Sequence, residues 1–267
     1  MLKAWNIKID RAAELVNNFD IEVARYMAGN PAQISKHFVG ENQIEVHLHI
    51  HNEPPTMLAS LAGEIVHNLR SALDSIVFAI VMQKAPSLKI QILDRFVKKI
   101  QFPIETARQS LSHIEFLSGY ENELFYRDLE SFQPFSWSSE YVKDEAKVEM
   151  NKGHHLALLQ ELSNNDKHRG INIVFCTLTD FAVGLPENVS LDGGFTYSKK
   201  FFNNEPILWF KLQGEGRYDL VSVIPQFSLG FQNSEFGFPR DSVQNQMHTF
   251  LNQISYYVRM LSSHIES

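Results

Sequence analysis

The chain has 267 residues, a formal net charge of -7 and 44% hydrophobic residues. These values predict a globular fold with a sizeable core, and they argue against broad, sequence-independent nucleic-acid binding, which needs a net basic surface. The single cysteine, Cys176, excludes an intramolecular disulfide and favours a reducing compartment. No secretory signal opens the sequence, and the apolar run Ile76–Met82 is too short for a bilayer. We therefore expect a cytoplasmic protein with no membrane partner.

The first third of the chain predicts two long helices separated by a hairpin. Apolar residues follow a helical repeat over residues 3–28, and Gly29-Asn30-Pro31 ends that helix. The segments 32–39 and 43–51 flank a turn and alternate apolar with polar residues, as paired strands do. A second helix is predicted over 57–84, with Thr56 as its N-cap.

The remaining residues predict more helices and an antiparallel sheet. Short helices are expected at 105–117 and 120–131, then a turn at Gln133-Pro134-Phe135, a polar stretch over 136–151 and a helix over 153–169. Strands are predicted at 171–177, 195–202, 207–213 and 218–231, and a last helix at 241–264. The pattern indicates one α+β domain over residues 1–267, with long helices packed against the sheet.

The second long helix carries an unusual polar stripe. One broad arc of it is apolar, and the opposite side carries hydrogen-bonding groups where a simple core helix would carry Lys and Glu. A second polar block follows near residue 166. The candidate catalytic residues are His67, Arg70, Asp74 and His168, and the candidate substrate-binding residues are Asn68, Ser71, Asp166, Lys167 and Arg169. Together these groups could bind a phosphodiester and cleave it by acid–base chemistry without a metal or another cofactor.

The same residues also fit a purely structural role. Arg70 and Asp74 are an i,i+4 pair on one helix. The block Asp166–Arg169 could complement a helix dipole, and opposite charges on the two helices could form a buried network. Both interpretations stay open at this point.

Four segments resemble the shared motifs of a family of uncharacterised bacterial proteins. They occur in the family's order over roughly residues 30–175, after a hairpin as in that family. The segments are His67–Asp74 (HNLRSALD), Phe102–Ile104 (FPI), Gln133–Phe135 (QPF) and Asp166–Arg169 (DKHR). The resemblance implies no activity, because none is known for the family.

A looser resemblance is to HEPN ribonucleases, helical domains that dimerise and use an Arg-x4–6-His motif with a polar residue after the Arg. Arg70-Ser71 matches the start of that motif, but Ser75 stands where the bacterial family commonly has His. The resemblance implies RNA as a partner, a homodimer and a role in stress or phage defence. His67 or His168 would then have to replace the absent histidine.

Three histidines on the hairpin are a separate candidate. His47, His49 and His51 share one face of a strand, and neutral imidazole is a common zinc ligand. The alternative is that Val46, Leu48 and Ile50 face the core while the histidines face water. The sequence thus leaves three functions open: a HEPN-like endoribonuclease or a degenerate relative, a non-catalytic binding or regulatory protein, and a metal-dependent hydrolase.

Overall fold

The fold is α+β, as predicted. A computed structural model describes residues 3–92, 94–107, 110–137, 150–168, 170–171, 173–197, 203–231 and 242–265. The helices, in chain order, are α1 (Ala4–Ala28), α2 (Thr56–Lys84), α3 (Asp94–Val97), α4 (Leu124–Ser131), α5 (Pro134–Trp137), α6 (His155–His168) and α7 (Val243–Ser262). The strands are β1 (Ala32–Val39), β2 (Gln43–Ile50), β3 (Ile173–Gly184), β4 (Val189–Leu191), β5 (Thr196–Tyr197), β6 (Pro206–Gly214) and β7 (Ser222–Phe231). The four long predicted helices and the hairpin are all present, which confirms these predictions.

The chain divides into two compact units, each built from separated segments. The first, here called the helical unit, comprises Met1–Asn18, Ser60–Ile171 and Met247–Ser267. The second, the sheet unit, comprises Phe19–Ala59 and Asn172–Gln246. A single domain over residues 1–267 therefore stays a prediction, and each unit is described by itself.

The helical unit is organised around α2. The apolar positions of this helix that lie in the unit, among them Ile65, Leu69 and Leu73, are completely buried, as its amphipathic pattern predicted. By length and composition α2 could also cross a membrane, since an 18-residue window has a mean hydropathy of 1.4. Because 56% of that window is buried inside the fold, the helix also fits the role of a core helix.

The sheet unit contains two antiparallel sheets. The first has the strand order β1-β2-β6-β4, with β5 also paired to β6, and the second pairs β3 with β7. On β2 the side chains of Ile44, Val46 and Leu48 are fully buried, so the histidines between them point to the opposite face. The register between β2 and β6 shifts between Val46 and His47, which places an irregularity beside those histidines.

Two local predictions are wrong. Residues 105–117 do not form a helix, and only Glu115–Leu117 makes a single 3-10 turn among the described residues of this stretch. At the start of the stretch, the N–H of Glu105 donates to the distant Gln133 side chain. Gln133-Pro134-Phe135 is not a simple turn, because Pro134 begins the short helix α5. Proline suits a first helical position since its missing N–H has no partner there.

Some predictions fall on residues outside the described ranges. Residues 138–149 of the polar stretch, 198–202 of one predicted strand and Arg169 are among them. The predicted strand at 218–231 begins instead with a 3-10 turn at Tyr218–Leu220, and β7 follows it.

Candidate functional site

Arg70 and Asp74 of α2 hold the backbone of a single residue, Phe102. Arg70 Nη2 donates to the Phe102 carbonyl at 2.8 Å, and Asp74 Oδ1 accepts from the Phe102 N–H at 2.9 Å. The two side chains also form an ion pair, with Nη2 and Oδ1 3.3 Å apart. Together they satisfy both polar groups of Phe102, as a neighbouring β-strand would. We call this arrangement the Phe102 clamp.

The guanidinium of Arg70 is only partly satisfied by the clamp. Its side chain is 13% exposed, and its Nη1 atom is buried with no hydrogen-bond partner among the described residues. Burial lowers the pKa of Arg70 because it disfavours the charged form, and the nearby Asp74 carboxylate opposes that effect. A buried donor without an acceptor costs free energy, so this atom is a local cost of the arrangement.

A cavity of about 340 Å³ opens beside the clamp, within the helical unit. Its polar lining comes from α2, from the segment 101–105 and from α6. It is lined by Arg70, Asp74, Gln101, Phe102, Pro103, Ile104, Glu105, Ile114, Phe116, Gln160, Ser163 and Asn164. The polar stripe of α2 thus faces the helix that carries the 166–169 block, but the α6 side chains in the cavity lie before that block.

A second group of hydrogen bonds fixes the floor of the cavity. The buried Gln133 side chain donates to the carbonyls of Pro103 and Leu129, both at 3.0 Å, and accepts from the Glu105 N–H at 2.9 Å. Gln133 belongs to the QPF segment, and Phe102 and Pro103 belong to FPI. Three of the four family-like segments therefore meet at one place, where they shape this cavity.

From the fourth segment, Asp166 contacts α2 at Gly63, which is not a lining residue of the cavity. Asp166 is exposed, and its carboxylate lies against Gly63, where an added Cβ would be 2.6 Å from Oδ1. The glycine lets the side chain approach the helix closely. Lys167 and His168 end α6, but their side chains and the whole of Arg169 lie outside the described part of the chain.

The other predicted residues of the α2 stripe do not line the cavity. His67 is exposed, and the amide of Asn68 donates to the Glu64 carbonyl one turn back, at 2.8 Å. The Ser71 carbonyl accepts a hydrogen bond of 2.7 Å from the Ser75 hydroxyl. Ser75, at the position of the family histidine, therefore uses its side chain within the helix. Among the described lining residues, the cavity contains no histidine.

The hairpin histidines belong to the sheet unit and form hydrogen bonds with their neighbours. His49 contacts Ser35 through Nε2 at 2.6 Å and Asn204 through Nδ1 at 2.7 Å. His47 contacts the Asn204 carbonyl through Nδ1 at 3.2 Å, and His51 is exposed at the end of the hairpin. Within the described ranges, no three His, Cys, Asp or Glu side chains are arranged to hold a metal ion.

Several residues of interest carried no signal in the sequence. Gln160, Ser163 and Asn164 share the cavity face of α6, where they look like ordinary surface residues. Ser35 and Asn204 reach His49 only because β1, β2 and the loop before β6 are adjacent in space. Gln133 lies in the QPF segment, but nothing in the sequence indicated that its side chain would bind the backbone of Pro103 and Glu105.

Comparison of the chain with protein-family models, with curated proteins and with solved structures gave no match. The function of the protein must therefore be inferred from the geometry of its two units.

Proposed function

We propose that the cavity beside the Phe102 clamp binds a small polar molecule without transforming it, and that the helical unit has a binding or regulatory role in the cytoplasm. The observation that carries this proposal is the convergence of the Arg70–Asp74 ion pair and the polar side chains of α6 on one cavity of about 340 Å³. The volume lies at the lower end of the range for small-molecule sites, in which convergent polar groups fix the orientation of the ligand.

The lining defines the chemistry of the ligand. Arg70 requires an acceptor, while the carboxylates of Asp74 and Glu105 disfavour a strongly anionic molecule. Ile114 and Phe116 add an apolar wall, and the α6 amides can donate or accept. A neutral or zwitterionic molecule with both donors and acceptors fits best, and nucleobases, nucleosides and amino acids are the classes to test first.

The test is a thermal-shift and calorimetric screen of those three classes against the purified protein. A ligand should raise the melting temperature, because it binds the folded state alone. In the variant Asn164→Trp a large side chain at the exposed rim should weaken binding by about tenfold or more, equivalent to about 1.4 kcal/mol.

The control is Asn165→Trp, which places the same side chain on the same helix but on a residue that does not line the cavity. It should bind the ligand as the wild type does. Equal affinity in both variants, or no ligand among the three classes, would contradict the proposal.

A HEPN-like ribonuclease is the second candidate, and one observation favours it: the Arg70 of the Arg70-Ser71 motif lines an open cavity. Two observations weigh against it, namely the exposed position of His67 and the use of Ser75 inside the helix. In this second candidate His168 is the acid–base residue, and the active form is a homodimer as the HEPN resemblance implies.

RNA cleavage in the presence of EDTA tests this second function. A metal-independent nuclease should cut RNA, and His168→Ala should abolish the cleavage, whereas His51→Ala, at an exposed histidine of the sheet unit, serves as the control. If the wild-type protein leaves RNA intact, or if His168→Ala cleaves normally, the ribonuclease proposal fails while the ligand proposal stands.

A further inference from the structure

The sheet unit contains a serine, a histidine and an asparagine in the order of a nucleophilic relay. Ser35 Oγ lies 2.6 Å from His49 Nε2, and His49 Nδ1 lies 2.7 Å from Asn204 Oδ1. A nucleophile bonded to a base, whose other nitrogen is held by a third group, is the arrangement that activates serine and cysteine in hydrolases. We propose that Ser35, His49 and Asn204 form a site that hydrolyses carboxylic esters.

The backbone fixes the position of each group. Ser35 on β1 pairs directly with His47 on β2, so Ser35 and His49 are diagonal neighbours on one face of the hairpin. Asn204 has a positive φ of 66°, and its N–H donates to the Leu48 carbonyl at 2.8 Å. Asparagine tolerates this left-handed conformation better than most residues. The conformation is therefore held in place while its side chain contacts His49.

The neighbours of Asn204 reinforce the arrangement. The Asn203 side chain accepts from the Ile50 N–H at 2.8 Å and donates to the Ile50 carbonyl at 3.3 Å. His47 Nδ1 contacts the Asn204 carbonyl at 3.2 Å. Asn203 and Asn204, in the loop before β6, thus form hydrogen bonds with three residues of β2, namely His47, Leu48 and Ile50.

One tautomer of His49 places the protons as the chemistry requires. When His49 Nδ1–H donates to the Asn204 amide oxygen, the lone pair of Nε2 faces the Ser35 hydroxyl. His37 Nε2 also lies 2.8 Å from Ser35 Oγ and can donate to it, which directs the serine proton to His49. Ser35 and His49 are partly exposed, so a substrate can reach both.

The reaction would follow two balanced steps. Ser35 Oγ attacks the ester carbonyl carbon while its proton passes to His49 Nε2; the bond to the alcohol oxygen breaks, and His49 returns the proton to that oxygen. Water then attacks the acyl–Ser35 ester with His49 as base, which releases the carboxylic acid and restores the serine.

The relay favours esters over amides for a physical reason. Asn204 is neutral, so it orients the imidazole but adds no negative charge to stabilise the imidazolium that forms during attack. A weaker nucleophile of this kind suits substrates with good leaving groups. Because the face is open, small esters are the expected class.

The test combines covalent labelling with hydrolysis of p-nitrophenyl acetate by the full chain. A fluorophosphonate probe should modify Ser35, as located by peptide mass spectrometry. Ser35→Ala should abolish labelling, and His49→Gln should reduce both labelling and hydrolysis by about a hundredfold, the lower end of general-base effects. Ser190→Ala, an exposed strand serine in β4, should behave as the wild type.

Asn204 is a positioning residue that orients His49. Its variants therefore separate an effect on the hydrolysis rate from an effect on folding stability. Asn204→Ala should lower the rate, whereas Asn204→Asp should restore it, because a carboxylate accepts the same Nδ1–H bond. Circular dichroism and melting temperature verify the fold of each variant. Absence of probe on Ser35 in the wild type, or hydrolysis that survives Ser35→Ala, would overturn the proposal.

Discussion

At the residue scale, Arg70 links the stability of the helical unit to its cavity. Its Nη2 atom belongs to the Phe102 clamp, its Nη1 atom is buried without a partner among the described residues, and the residue lines the cavity. An arginine used only for structure would have its buried donors satisfied, and one used only for binding would be free to move. Arg70 combines both features, which explains why the sequence alone left the two interpretations open.

The substitution Arg70→Met tests how much the Phe102 clamp contributes to the stability of the protein. The substitution keeps the packing of the aliphatic stem but leaves the Phe102 carbonyl and Asp74 without the contacts that Arg70 makes to them. We expect the free energy of unfolding to fall by about 3 kcal/mol, measured by urea denaturation.

Arg11→Met is the matched control for that measurement. Arg11 pairs with Glu14 on the exposed surface of α1, so its loss should cost no more than about 1 kcal/mol. Equal losses in the two variants would show that the Phe102 clamp contributes little to stability.

At the element scale, the extended segment 101–105 is the part of the fold that distant side chains determine. Gln133 makes three hydrogen bonds, two of them to this segment and one to the preceding turn of α4. Each bond satisfies a polar group that would otherwise be buried without a partner. The position of this segment, and with it one wall of the cavity, therefore depends on the Gln133 amide together with the Phe102 clamp.

We expect Gln133→Met to be strongly destabilising. Methionine has a similar volume but no polar group, so the Pro103 carbonyl and the Glu105 N–H lose their partner inside the protein. The free energy of unfolding should decrease by about 3 kcal/mol in urea, since buried unsatisfied groups cost roughly 1–3 kcal/mol each. Gln101→Met, an exposed change in the same segment, should cost little, and a similar loss there would contradict this explanation.

These hydrogen bonds also explain where sequence reasoning succeeded and failed. The long helices and the hairpin were predicted because their apolar periodicity is local and records burial directly, as the buried arc of α2 shows. In the stretch 105–117, where a helix was expected, the N–H groups of Glu105 and Leu111 donate instead to the distant side chains of Gln133 and Glu130. No local pattern contains such contacts. The Arg70–Asp74 pair was predictable from its i,i+4 spacing, but the cavity lining on α6 was not.

At the scale of the whole molecule, we expect the buried His154 and the half-buried His155 to contribute to the response to acid. The rings of His154 and His155 are tilted against each other with centroids 4.0 Å apart, and the Tyr257 hydroxyl of α7 lies 2.8 Å from His155 Nε2. His154 Nδ1 also accepts the Leu156 N–H at 3.3 Å. Burial lowers the pKa of His154 to about 4. Burial, with the neighbouring imidazole, lowers the pKa of His155 to about 3.

The direction of the pH effect follows from those values. In the unfolded chain both imidazoles take up a proton near pH 6.5, whereas in the folded protein they remain neutral until the pH is much lower. Between about pH 6.5 and pH 4 the unfolded state therefore binds more protons, and stability falls as the pH falls. The shifts correspond to a loss on the order of several kcal/mol at pH 4.

Glutamine variants test this mechanism because an amide does not titrate. His154→Gln and His155→Gln should each make the free energy of unfolding less dependent on pH between 6.5 and 4, measured by urea denaturation at several pH values. His67→Gln removes an exposed histidine and should keep the wild-type slope. If all three variants parallel the wild type, the acid response comes from carboxylates elsewhere. If only His154→Gln and His155→Gln reduce the pH dependence, this pair of histidines controls how the protein unfolds in acid. The reason is that burial disfavours the protonated imidazoles in the folded state.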